Sequence, residues 1–266
     1  MINATTIRLS LLVLFAFLFG PITMGQELSP KEQCLLGQRY ENGEGVPKNT
    51  ARAVELYRKA AERGDCIAQF SLGQCYEFSK GVEQNLPEAF KWYLKAAEGG
   101  AVQAFLNVAV RYHQGDGPRK NIHEAIKWYS LVLAFPVDKS EVKALCNLGF
   151  IYSTGDGVPQ DNVVAIQFLN KAARLGSADA QRAMGYMCEN GLGLKAPDLT
   201  QAVQFYTLAA GHGDSQAMCS LAYFYYHGIA VLKNVTEATR LLKSAAELGN
   251  PQAVERLKEL GIEKTK

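Results

Sequence analysis

"GEGVPKNTARAVELYRKAAERGD", residues 43–65, decides the fold. Read alone, Gly43-Glu44-Gly45 ahead of a charged helix looks like a loop that cradles a phosphate. Such a loop needs Gly-x-Gly-x-x-Gly after a strand, or Gly-x-x-x-x-Gly-Lys-Ser/Thr. Here the third glycine is missing and the preceding segment reads as a helix. The motif also returns as "QGDGP" at 114–118, "TGDGVP" at 154–159 and "NGLGLKAP" at 190–197. Looser versions are "FSKGVEQ" at 78–84 and "HGIAV" at 227–231. A turn that recurs needs no ligand, so its role is to reverse the chain between two helices.

The residues around the turn repeat with it. Leu36-Gly37 recurs as Leu72-Gly73, Val108-Ala109, Leu148-Gly149, Met184-Gly185 and Leu221-Ala222, at intervals of 36, 36, 40, 36 and 37 residues. Three residues after the small member stand Tyr40, Tyr76, Tyr112, Tyr152, Cys188 and Tyr225, whose spacing points to packing between repeats. An alanine then opens a second pattern at Ala53, Ala89, Ala125, Ala165, Ala202 and Ala238. Ala53, Leu56, Tyr57, Ala60 and Ala61 fall on one face of a helix. Gly64, Gly100, Gly176, Gly213 and Gly249 follow the second helices, where a left-handed residue can end them. The glycine of the Leu-Gly step is expected to let the partner backbone approach. Neither helix buries its stripe alone, so the units must stack.

The sequence therefore predicts an all-α protein, a right-handed α-solenoid of about six helix-turn-helix repeats. They lie near 30–64, 65–100, 101–136, 140–176, 177–213 and 214–249, with a capping helix at 250–262 and the solenoid spanning 28–262. Ser29-Pro30 and Asn250-Pro251 each offer an N-cap and a proline in the first turn. The last helix, "PQAVERLKEL", is more charged and suits an outer face. Repeat three gains four residues in "SLVLAFPVDKSEVKAL", where Pro136 should break one helix and Ser140 cap the next.

The LG-x-x-Y steps, the GxGVP-type turns and second helices such as "AFKWYLKAAEGGA" and "AVQFYTLAAGHGD" resemble the SLR family, the Sel-one-like repeats related to tetratricopeptide repeats. The resemblance covers residues 30–260. It implies a scaffold whose partner varies from member to member. Some cysteine-rich relatives bind or slowly hydrolyse β-lactams. Their bridging cysteines sit three residues before the LG leucine and at the second alanine of the Ala-Ala step. Here those positions hold Gln33, Gln69, Phe105, Leu145, Gln181 and Met218, and Ala61, Ala97, Leu133, Ala173, Ala210 and Ala246. Ser140-Glu141-Val142-Lys143 fits S-x-x-K, but the S-D-N and K-T-G elements are absent.

No cofactor or metal site is expected. His113, His123, His212 and His227 lack ligand spacing. The six cysteines, Cys34, Cys66, Cys75, Cys146, Cys188 and Cys219, allow 15 full pairings, with Cys34–Cys75 and Cys188–Cys219 conceivable beside free thiols. The 28 Lys and Arg stand against 26 Asp and Glu, which gives no electrostatic reason to seek nucleic acid. Residues 1–25 carry one charge, Arg8, then an apolar run from Leu9 to Phe19 and small residues near Gly25. That is the layout of a secretory signal peptide, so the chain is expected to be exported, periplasmic or secreted, and not inserted in the membrane after cleavage. Passage through the endoplasmic reticulum is the alternative; Asn234-Val235-Thr236 is a sequon.

By analogy with tetratricopeptide repeats, a monomer would hold a protein or peptide partner in a concave groove lined by first helices. The groove residues are Gln38, Gln74, Arg111, His113, Phe150, Tyr186, Tyr223 and Tyr226, polar at one end and aromatic at the other. The loop at Pro136 is a second candidate surface. The leading function is an exported, non-catalytic scaffold in bacterial envelope function or host contact. The alternatives are β-lactam binding or hydrolysis, a quality-control adaptor in the endoplasmic-reticulum lumen, and a carbohydrate-binding module using the aromatic end.

Overall fold

The computed structural model describes residues 27–136 and 139–261. The expected signal segment lies outside them. Among the described residues there are thirteen α-helices and no strand. They fall into two compact units that meet in sequence between Asn85 and Leu86.

The first unit holds α1 (Pro30–Asn42), α2 (Thr50–Glu62) and α3 (Cys66–Glu77). α2 packs on both α1 and α3. Ser29 and Glu32 form a reciprocal capping box at the start of α1, with Pro30 in its first turn. Ala53, Leu56, Tyr57, Ala60 and Ala61 are all buried, as their spacing predicts.

The second unit runs α4 (Leu86–Glu98), α5 (Gln103–Gln114), α6 (Ile122–Ala134), α7 (Ser140–Thr154), α8 (Asn162–Arg174), α9 (Ala178–Asn190), α10 (Leu199–Gly211), α11 (Ser215–His227), α12 (Val235–Glu247) and α13 (Pro251–Glu259). Each helix packs on the next. Most helices start on a side-chain cap: Asn121, Asp161, Ser177, Asp198, Asp214, Asn234 and Asn250 each accept a backbone N–H of the first turn. The second-helix ends turn left-handed as expected, from Gly64 at φ 88° to Gly249 at φ 82°.

The opening motif is a turn with two left-handed residues, Gly43 at φ 81° and Gly45 at φ 70°. Its N–H groups point inward: those of Gly43 and Glu44 both donate to the Arg39 carbonyl and end α1. The turn closes where the Asn49 N–H donates to the Tyr40 carbonyl at 2.8 Å. The same bond recurs from Asn85 to Tyr76, Asn121 to Tyr112, Asp161 to Tyr152, Asp198 to Cys188 and Asn234 to Tyr225. The recurring contribution of the tyrosine position is thus its carbonyl, and a cysteine at 188 serves equally well. Only Tyr76 and Cys188 of that series are buried, and the other rings are half-buried.

Three expectations are corrected. A Cβ added at Gly37 would lie 2.7 Å from Tyr57 Cε1, so the glycine admits a ring from the second helix rather than its backbone. Ser140 does not cap α7: the cap position is Lys139, and Ser140 is the buried first residue of the helix. α6 does end at Ala134, just before Pro136, because proline cannot continue the helix. Third, α13 does more than cover an end, since its polar side chains wall a cavity.

Candidate interaction face

Four second-helix tyrosines, Tyr57, Tyr93, Tyr129 and Tyr206, are buried, and the phenols of Tyr57, Tyr129 and Tyr206 reach through to the first-helix face. Tyr57 Oη donates to Glu41 Oε2 at 2.8 Å, and Tyr206 Oη to Glu189 Oε2 at 2.7 Å. In repeat three the acceptor position is His113, whose Nδ1 lies 3.3 Å from Tyr129 Oη. Burial pushes all three phenols above their ordinary range, and the neighbouring carboxylates add to this for Tyr57 and Tyr206. The phenols therefore remain protonated and act as fixed struts.

His113 is held from its other side as well. Its Nε2 lies 3.3 Å from Asp156 Oδ2, and Lys120 Nζ donates to the same carboxylate at 2.9 and 3.0 Å. The hydrogen bond from Lys120, with help from its charge and from His113, keeps the Asp156 carboxyl below its usual range. Tyr129, His113 and Asp156 thus stand in one row, with the phenol at its buried end and the carboxylate at its outer end. Arg111 is buried too, with Nη1 3.5 Å from Asp116 Oδ2. Arg111 thus ties the turn of repeat three and His113 the turn of repeat four, which leaves them little surface for a partner.

The remaining positions divide between the units. Gln38 and Gln74 are half-buried in the first. In the second, Phe150 packs beside the cluster of Leu145, Leu169 and Met184, half-buried. Tyr186 is 56 % exposed and Tyr223 48 % exposed, while Tyr226 is half-buried against the last core cluster. Tyr223 and Tyr226 stand on α11 with His227 between or beside their rings, 4.5 and 5.1 Å between centroids.

Beside Tyr223 opens a cavity of about 580 Å³ between α11 and α13. Its walls carry Glu189, Gln216, Cys219, Gln252, Glu255, Arg256 and Glu259. The α13 residues were missed in sequence, although one signal was present. Gln252 lies 36 residues after Gln216, and the two amides meet at 2.9 Å, so α13 stands where the first helix of a further repeat would stand.

The Sel1 repeat pattern matches six consecutive segments, 33–65, 66–100, 103–131, 142–177, 178–214 and 215–250. The chain belongs to the Sel1 repeat family. Among solved structures it is similar to c5321, a protective antigen of uropathogenic Escherichia coli strains with an SLR fold. They share 32% identity at a TM-score of 0.77, over 87% of this chain and 48% of that one. A Sel1 repeat protein from Oxalobacter formigenes is also 32% identical, with a TM-score of 0.67 over 83% of this chain and 88% of that one. DAP3-binding cell death enhancer 1 of Rattus norvegicus is 36% identical over 98 residues. The match spans only 18% of that protein, and about half of c5321.

Within the Sel1 repeats, the positions that hold bridging cysteines in the cysteine-rich relatives are in contact here through a different bond. Gln69 Nε2 donates to the Ala61 carbonyl at 3.1 Å, and Gln181 Nε2 to the Ala173 carbonyl at 3.0 Å. All six cysteines are free thiols. Burial pushes Cys34 and Cys75 up to about 12, so both are protonated and poor nucleophiles at neutral pH. In the S-x-x-K stretch Ser140 is buried whereas Lys143 is exposed, an arrangement unlike a nucleophile beside its base. Among the described residues no helix is long and apolar enough to cross a membrane.

Proposed function

We propose that this Sel1 repeat protein is an exported, non-catalytic scaffold that holds a protein or peptide partner on the first-helix face, the expected concave groove. The observation that carries the reading is the pair of exposed tyrosines, Tyr186 on α9 and Tyr223 on α11, with the 580 Å³ cavity beside Tyr223. Large amphipathic rings on rigid helices are efficient anchors, because little side-chain entropy is lost when they are covered. The likeness to a protective antigen of a pathogen supports a bacterial setting in the envelope or at host contact.

The test is capture of partners from cell-envelope and host extracts by the whole chain and by a Tyr186→Ala/Tyr223→Ala/Tyr226→Ala variant. Circular dichroism must show equal helix content in both. A protein that the parent captures and the variant loses supports the scaffold reading. Equal capture by both moves the site off this face, and capture of nothing removes the support for a scaffold.

A further inference from the structure

The acidic cavity and an apolar cavity beside it fit one kind of occupant. We propose that the C-terminal end of the second unit binds an extended peptide segment carrying a lysine or arginine next to an aliphatic side chain. This rests on the scaffold reading above and gives its partner a chemistry.

Three carboxylates face the larger cavity: Glu189 from α9, and Glu255 and Glu259 from α13. Among the described residues their one cationic neighbour on the wall is Arg256, whose Nη1 already lies 3.2 Å from Glu259 Oε2. Glu189 is positioned by the Tyr206 phenol, a neutral donor that leaves the carboxylate charge in place. The wall is therefore net negative, and it repels carboxylate and phosphate ligands while attracting a cation. The half-exposed ring of Tyr223 lines the same space, and an aromatic face beside carboxylates suits a guanidinium or ammonium group.

The second cavity, about 90 Å³, shares Cys219, Tyr223, Arg256 and Glu259 with the first. Its remaining walls are mainly apolar, including Ala222, Tyr226, Leu242 and Leu260. It is too small for a folded element and suits one aliphatic side chain. Tyr223 lines both cavities, which therefore adjoin, so a cationic and an aliphatic group from neighbouring residues of one extended segment would fill them together. A small organic cation would leave the apolar cavity open, and a nucleic acid would bring phosphates to three carboxylates.

The test uses two fluorescein-labelled nine-residue peptides with identical leucine-containing flanks, one centred on Lys-Arg and the other on Glu-Glu. Each is titrated with the whole chain and followed by anisotropy at low and moderate salt. The Lys-Arg peptide should bind about tenfold tighter than its acidic counterpart, as expected for loss of attraction to two carboxylates, and added salt should narrow the gap. Glu255→Gln/Glu259→Gln, which alters exposed side chains and should keep the parent melting profile, should remove the preference. Tyr223→Ala should weaken both peptides. Equal binding, preference for Glu-Glu, binding of neither, or a preference unchanged in the Gln variant overturns the proposal. Partner capture separates the two readings. Dependence on the tyrosines without dependence on Glu255 and Glu259 leaves the scaffold face standing and removes the basic ligand, whereas dependence on neither removes both.

Discussion

Gly185 and Tyr206 fit by subtraction: a Cβ built on Gly185 would lie 2.6 Å from Tyr206 Cε1, inside contact distance. The ring fills the space that the missing side chain leaves, and its hydroxyl goes on to Glu189. The same relationship joins Gly37 to Tyr57, and Gly149 to Leu169. This is why a small residue recurs after the leucine, valine or methionine of the first helices.

Repeat three shows how much the fit can give, since Ala109 and Tyr129 occupy the equivalent positions and both are fully buried. One methyl group is thus accommodated at this step, and the better helix propensity of alanine offsets part of its cost. Gly185→Ala should therefore cost about 1 kcal/mol and Gly185→Val about 3 kcal/mol, in the range of core overpacking. Urea denaturation followed by circular dichroism measures both. A neutral Gly185→Val would mean that the ring does not pack on this glycine.

The second turn position is left-handed in every repeat, and in repeat six it is occupied by Ala230 at φ 55°. An L-residue there is strained by about 1 kcal/mol or somewhat more, which glycine would relieve at the expense of a floppier unfolded chain. Ala230→Gly should then stabilise the protein by about 0.5–1 kcal/mol, unlike a helix-interior Ala→Gly change, which destabilises by a similar amount. The comparison of Ala230→Gly with Ala238→Gly in one denaturant series decides it. Loss of stability in both would place Ala230 outside the left-handed region.

Acid should weaken the first unit through Glu41. Burial alone would raise its pKa, but hydrogen bonds from Lys80 and Tyr57, with the Lys80 and Lys48 charges, more than offset this and hold it below its ordinary 4.5. A carboxylate with a depressed folded-state pKa stabilises the fold at pH values above 4.5, and that stabilisation disappears as the pH falls through the lower, folded value. Glu41→Gln should cost about 1 kcal/mol at pH 7, as suits a partly exposed pair, and the difference from the parent should shrink as the pH falls below 4.5 and through the lower, folded-state value. Urea unfolding of both proteins across that range provides the measurement. A difference independent of pH would assign the loss to packing rather than to charge.

The hairpin period was legible because each repeat uses the same small residue, alanine stripe and glycine turn, and five intervals of nearly equal length leave no other reading. The side chains that reach the first-helix face were less legible. Tyr57 reads simply as a core residue, and only the fold reveals that its hydroxyl emerges at Glu41. His113 and Arg111 sit at positions that suggest a groove, yet Tyr129 on α6, sixteen residues on, and Asp116 in the turn, five residues on, hold them. The α13 wall was hidden by its charge. Glu255, Arg256 and Glu259 suit a solvent-facing cap as well as a cavity, and only the Gln216–Gln252 contact shows that α13 continues the series.

The clamp between repeats provides the last prediction. Gln181 is 3% exposed; its amide donates to the Ala173 carbonyl at the end of α8, and its oxygen lies 2.8 Å from His212 Nδ1. One side chain thus adds a second donor to a carbonyl that also accepts the Gly176 N–H, and engages the loop after α10. Gln181→Ala removes both buried hydrogen bonds, while the Ala173 carbonyl keeps the Gly176 N–H, so it should cost about 2 kcal/mol. Gln181→Glu keeps the shape but replaces the amide donor with a carboxyl group, so at neutral pH it should cost at least as much as alanine and should recover as the carboxyl is protonated in acid. Hydrogen exchange locates the damage: protection should fall first at the α8–α9 junction and after α10, while α1–α3 keep theirs. A uniform loss across the chain would show that Gln181 supports global stability rather than this one junction.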